Sequence, residues 1–212
     1  MQWGDEAKGK LVDLLTAKQE VVVRYQGGAN AGHTVVVGDQ TYKLHHIPSG
    51  ILNAEVLNVI TGGVVLNPPT MLDEIQSLTD RDIQVKRNLK ISDRAHVVMP
   101  WHLAEDRALD QATQGDNNIG TTLRGIGPCY RDKVGRSYAI RLGDLYRPEF
   151  PERVREIVEV KQRVLVGIGD ESEIASLNAD EIIRQYQGYA EQLKDLVCDT
   201  NTVSYTHLTL PT

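Results

Sequence analysis

The sequence predicts an α/β fold: a mostly parallel central sheet with flanking helices and a phosphate-loop-like N-terminal motif, forming an incomplete domain. Three observations carry that reading. Apolar runs of strand length alternate with segments of helical period. Glycines gather in short loops between them. The first of those loops, Gly4-Asp5-Glu6-Ala7-Lys8-Gly9-Lys10, runs straight into Leu11-Val12-Asp13-Leu14-Leu15, whose leucines share one helical face.

The elements follow in order. Val21 to Tyr25 reads as a buried strand, ended by Gln26-Gly27-Gly28. Thr34–Val37 and Thr41–Leu44 flank Gly38-Asp39 and predict a β-hairpin. Pro48-Ser49-Gly50 breaks the chain before a strand over Val56–Ile60. Pro68-Pro69 opens a helix with Met71, Leu72, Ile75 and Leu78 at helical spacing. Leu89–Ser92 and His96–Met99 read as short strands, and Trp101–Ala112 as a helix. A second glycine loop, Gly120 to Pro128, precedes helices over about Glu152–Leu165 and Ala179–Val197. Residues 203–212, rich in Thr and Leu, show no helical period and read as a tail separate from the partial domain 1–202.

Composition narrows the class. The 212 residues carry 23 basic and 29 acidic side chains, a net charge of −6, with 41% hydrophobic residues. That describes a globular chain with one sizeable core or two small ones, and a general nucleic-acid binder would be basic. No run approaches the roughly 18 apolar residues of a membrane helix. Two cysteines, Cys129 and Cys198, support neither a disulfide scaffold nor a four-ligand zinc site, so a reducing cytoplasm is expected.

Three loops carry chemistry. Gly4-x-x-x-x-Gly9-Lys10 has the spacing at which backbone N–H groups and a helix N-terminus surround a phosphate. The Ser or Thr that ordinarily follows, and binds Mg²⁺, is Leu11 here. Asp5 sits inside the loop instead, where it can serve as a Mg²⁺ ligand, a base or both; a glycine turn with a solvated charge run is the bland alternative. In Gly27-Gly28-Ala29-Asn30-Ala31-Gly32-His33-Thr34 a histidine follows a strand end, the place where α/β sheets bind ligands. Its imidazole can donate a proton or stabilise an oxyanion, or simply bond to backbone. His45 and His46, adjacent, make a poor metal pair, and at least one is expected to be structural. Thr121, Thr122 and Arg124, with Arg131, Lys133 and Arg136 beyond them, supply hydroxyls and cations suited to a phosphate monoester. Cys129 reads as a small packing residue.

Together and in this order, these motifs resemble the adenylosuccinate synthetase family. The resemblance rests on Gln2 to Lys10, Tyr25 to Thr34, His46 to Leu52, Ile119 to Pro128 and Arg141 to Leu145, and covers residues 2–202. It implies a GTP-dependent, Mg²⁺-assisted ligation of IMP to L-aspartate in AMP synthesis, by a cytoplasmic homodimer. Asp5 would be the base at N1 of the purine and a metal ligand, with the Gly32 carbonyl as a second. His33 would be the acid that assists phosphoryl transfer to the purine oxygen. Asp5, Glu6, Ala7, Lys8, Asn30, Ala31, Gly32, His33 and Thr122 would line the IMP site, and Arg136 would reach the IMP of the neighbouring subunit. Gly4, Asp5, Glu6, Ala7, Lys8, Gly9, Lys10, Gly32, His33 and Thr34 would contact GTP. Ala7 stands where the family usually has glycine. The chain begins inside the first motif and is expected to stop about halfway through the family's length. No Asn/Thr-Lys-x-Asp motif occurs, so guanine specificity rests on the resemblance. A different Mg²⁺-dependent phosphate-loop nucleotidase or nucleotide-binding protein, or an inactive truncated product, is the alternative.

Overall fold

The computed structural model describes residues 15–16, 19–112, 121–168 and 173–202. The first glycine loop, Gly4 to Lys10, lies outside those residues, as do Gly120 and the tail 203–212.

A four-stranded, all-parallel sheet forms the centre. Its order is β1 (Val21–Arg24), β4 (Leu57–Ile60), β6 (Leu89–Ser92) and β8 (Val197–Cys198). Parallel neighbours need crossovers: helices supply those from β4 to β6 and from β6 to β8, and a hairpin with a short 3-10 turn, Ser49–Leu52, supplies that from β1 to β4. The predicted hairpin is present as β2 (His33–Val37) and β3 (Gln40–Leu44), with Val37 opposite Gln40 across the Gly38-Asp39 turn. Two short strands, β5 (Val65–Leu66) and β7 (His96–Val97), pair in parallel.

The helices begin where their signals stand. Asn67 caps α1 (Pro68–Thr79), its side chain accepting the Thr70 N–H at 3.2 Å. A single turn, α2 (Val85–Asn88), leads into β6. Next come α3 (Pro100–Ala112), α4 (Ile126–Gly135), α5 (Phe150–Ile168) and α6 (Ala179–Leu193). In α6 the side chains of Ile182, Ile183, Tyr186, Ala190 and Leu193 are buried, one face at helical spacing. The core runs continuously from Ile60, Leu66 and Ile91 through Met71, Met99 and Trp101 to Phe150 and Leu193. Each such side chain contributes roughly 1.5–3 kcal/mol by leaving water.

Strand β5 and helix α2 have no counterpart in the sequence reading, β7 stops at Val97 rather than Met99, and two further elements differ from it. Helix α4 begins at Ile126, inside the stretch read as loop, because Pro128 falls in its first turn, where a missing N–H costs nothing. The end of the last predicted helix turns away after Leu193 and pairs as β8 with Ile91 and Ser92. Two residues of strand leave no periodicity to read.

Candidate functional site

The loop after β1 is built by close approach. Gly27 takes φ +90°, a conformation open chiefly to glycine, and its carbonyl accepts the Val65 N–H at 2.9 Å. A Cβ on Gly28 would lie 2.6 Å from Ile126 Cδ1 and 2.9 Å from the Val65 carbonyl. The loop is therefore pressed between the start of α4 and β5.

Side chains from four different places then hold its backbone. Arg24, closing β1, donates to the Gly28 carbonyl at 2.8 Å and to the carbonyl of His45. The Tyr130 hydroxyl accepts the Gly27 N–H at 2.7 Å and lies 3.1 Å from the Gly63 carbonyl, to which it can donate. Arg124 donates to the Ala29 carbonyl. His45 Nδ1 donates to the Ala31 carbonyl at 2.8 Å. His45 is fixed in turn by Glu74, whose buried carboxylate accepts the N–H groups of His45, His46 and Ile47 at 2.8, 2.8 and 3.0 Å. Burial pushes the Glu74 carboxyl up, and those three donors partly offset it. His46 is fully buried and accepts the Asn67 N–H at 3.0 Å. Burial, with Arg24 nearby, pushes it down to about 3, so the ring is neutral. Both histidines follow the end of β3 and bond to backbone, so their role here is structural.

Asn30, Ala31 and Gly32 are exposed beyond this clamp, His33 is half-buried at the start of β2, and Thr34 is exposed beside it. Thr122 is exposed on the second glycine loop, which Arg124 ties to Ala29. The histidine loop and the threonine-arginine loop, 95 residues apart in sequence, thus meet. The cations that follow do not join them. Arg131 turns to Glu105, and Lys133 donates to the carbonyls of Gly62 and Gly63 at 2.8 and 2.7 Å. Arg136 caps α4 at φ 64°, about 15 Å along the helix from Ile126. It lines a cavity of about 430 Å³ with Lys133, Arg141, Arg147, Arg153 and His96. The helical period of α4 separates what the sequence had grouped.

Helix α4 is itself anchored by buried charge. Lys161 Nζ lies 3.0 Å from Glu105 Oε1 and 2.6 Å from Asp132 Oδ2, and all three side chains are almost fully buried. His102 Nδ1 accepts the Met99 N–H at 2.9 Å, and its Nε2 lies 3.0 Å from the Trp101 indole nitrogen and 3.1 Å from Asp132 Oδ2. Burial alone would raise the Asp132 carboxyl; hydrogen bonds from His102 and Lys161 hold it below the usual range. Cys129 is buried and unpaired, its thiol pushed up by burial, in keeping with a packing role.

Sequence reasoning missed Arg24, Glu74 and Tyr130. Only the buried charge of Arg24 within a strand signalled anything, since a buried arginine needs partners.

Among the described residues no group of three or more His, Cys, Asp or Glu side chains could hold a metal ion, and no helix is long and apolar enough to cross a membrane. Among the described residues, the side chains that hold the loop take the carbonyls of Gly28, Ala29 and Ala31 and not that of Gly32, an oxygen donor of the kind Mg²⁺ takes.

Comparison with known proteins supplies the family. The adenylosuccinate synthetase family model matches residues 1–209. The adenylosuccinate synthetases of Caldanaerobacter subterraneus and Clostridium perfringens are each 48% identical over 206 residues, covering 96% of this chain and 47% of the relative. The fully ligated adenylosuccinate synthetase of Plasmodium falciparum superposes with a TM-score of 0.84 at 31% identity, over 98% of this chain and 47% of that one. The chain spans about half the length of the curated relatives it matches, and it belongs to the adenylosuccinate synthetase family.

Proposed function

We propose that the chain carries the IMP-phosphorylating centre of a GTP-dependent ligase that joins IMP to L-aspartate, giving adenylosuccinate, GDP and phosphate. The meeting of the histidine loop with the threonine-arginine loop, through Arg124 and the Ala29 carbonyl, is the observation that carries it. A simple phosphate-loop nucleotidase needs no such second loop.

The purine 6-oxygen is a poor leaving group, so it is first made a phosphate ester, which the aspartate amine then displaces. Asp5 takes the proton from N1 of the purine. His33 assists transfer of the γ-phosphoryl group at the opposite side, where charge develops. Asn30, Ala31, Gly32 and Thr122, with Asp5 to Lys8, line the IMP site; Gly4 to Lys10 and Gly32 to Thr34 contact GTP. Asp5 and the Gly32 carbonyl would hold Mg²⁺, which neutralises phosphate charge when bound. Arg136 serves the IMP phosphate of a partner subunit, a reading supported by its place at the far end of α4 from its own histidine loop. Two unpaired cysteines fit a cytoplasmic setting.

A chimera joining residues 1–202 to the remaining half of the Clostridium perfringens relative tests this. It should form adenylosuccinate only with IMP, aspartate, GTP and Mg²⁺ together, and the 212 residues alone should form none. Asp5→Asn should lower turnover by more than about 10³-fold, because a base and a metal contact are lost together. His33→Asn should lower kcat far more than it weakens IMP binding. A monodisperse chimera without turnover, beside an active parent, overturns the reading.

A further inference from the structure

We propose that Tyr130 and Arg124 are positioning residues for the histidine loop: from α4 and its entry they fix Gly27 and Ala29, so that Asn30, Gly32 and His33 stand in one arrangement. Its bearing on catalysis rests on the ligase reading above; the clamp itself does not.

The argument is one of hydrogen-bond accounting. A glycine-rich loop at a strand end has no ladder to hold it, and glycine has the most conformational freedom to lose. Here successive backbone groups are taken by separate side chains: Gly27 by Tyr130, Gly28 by Arg24, Ala29 by Arg124, and Ala31 by His45. Asn30 and Gly32 are left out of the clamp and are exposed. Tyr130 suits its place because a phenol accepts and donates at once. It takes the Gly27 N–H and can give its own proton to Gly63, whose carbonyl also receives Lys133. One hydroxyl thereby ties the ends of β1 and β4 to α4. Phenylalanine keeps the ring and strands the Gly27 N–H. Arg124 reaches the loop from a stretch of unusual backbone, between Leu123 at φ 52° and Gly125 at φ 69°, where the Gly125 N–H is held by Asp106 at 2.9 Å. That anchored turn aims the guanidinium at Ala29.

Amide hydrogen exchange on the 212-residue chain tests the clamp without any ligand. In Tyr130→Phe, exchange over 27–33 should rise about tenfold while β4 and β6 keep their rates, because one local opening is made easier. Tyr186→Phe is the control: its buried hydroxyl donates to the Val98 carbonyl at 2.8 Å, and its loss should leave 27–33 as before. Arg124→Met should also expose 27–33, and Arg124→Lys, which can still donate to Ala29, should restore protection. In the chimera, Tyr130→Phe should lower kcat by about tenfold and move KM for IMP by less than about threefold, since misplacement acts on the reacting geometry. Unchanged exchange over 27–33, loosening spread evenly over the chain, a lysine no better than methionine, or an unchanged kcat would each overturn the proposal. Loss of turnover in the unsubstituted chimera would instead remove the ligase reading and leave the exchange result to decide the clamp.

Discussion

Two glycine turns bracket β2, and they are held in opposite ways. At Gly38, φ is 58° and a Cβ would meet nothing within 4 Å. The turn is a local affair, closed by the pairing of Val37 with Gln40. At Gly27-Gly28 the backbone is pressed against Ile126 and Val65 and bonded by Tyr130 and Arg24, and Arg124 and His45 hold Ala29 and Ala31 just beyond. Residues on the first turn answer to their neighbours in sequence. The second turn answers to α4, which answers in turn to buried charge between α3 and α5. A loop that must present chosen groups in a fixed arrangement needs the second kind of support.

Four measurements would break or sharpen that contrast. The largest effect is expected at Lys161→Met, which leaves Glu105 and Asp132 buried with one cation fewer and should cost about 3–5 kcal/mol in denaturant unfolding. A loss below about 1 kcal/mol would mean that Arg131 compensates alone. The contrast itself is tested by Gly28→Ala beside Gly38→Ala. The first should cost about 2–3 kcal/mol, because the Val65 carbonyl cannot give way as a side-chain tip can. The second should cost about 1 kcal/mol, the penalty of a left-handed alanine in open space. Equal costs would erase the distinction drawn here.

The smallest effect is a slope. His46 is pushed down to about 3 and His96, beside Lys133 and Arg141, to about 4, both chiefly by burial. The unfolded chain binds protons below the ordinary histidine value of about 6.5, and the folded chain refuses them. Stability should therefore fall as pH drops from about 6.5 toward 4, by up to about 1.4 kcal/mol per pH unit for each group. His46→Asn should flatten that slope by about one proton. A slope unchanged by the substitution would assign the acid sensitivity elsewhere.

Much of the scaffold was legible because its signals are local. The two runs flanking Gly38-Asp39 gave the hairpin, Pro68-Pro69 gave the start of α1, and apolar strands between helical segments gave the parallel sheet. Helix α4 was hidden by Gly125, Gly127 and Pro128, residues that mark loops in general and are harmless at a helix start. Of the site, the meeting of the histidine and threonine-arginine loops was readable from the family's motifs. The parting of Arg131, Lys133 and Arg136 from Arg124 was not, because α4 sends side chains at these offsets to different neighbours.

The sequence by itself determined the parallel α/β plan, the hairpin, the family and which loops hold polar chemistry. Period, turn residues and motif order are properties of adjacent residues. Only the tertiary structure decided which side chains hold the histidine loop. Arg24, Glu74, Arg124 and Tyr130 lie up to 106 residues apart, between Arg24 and Tyr130. Nothing in the local sequence of Glu74 or Tyr130 distinguishes them from ordinary surface charge or core tyrosine; the partners of all four are backbone groups that any residue could supply, and only the packing of α4 against the ends of β1 and β4 brings those groups within reach.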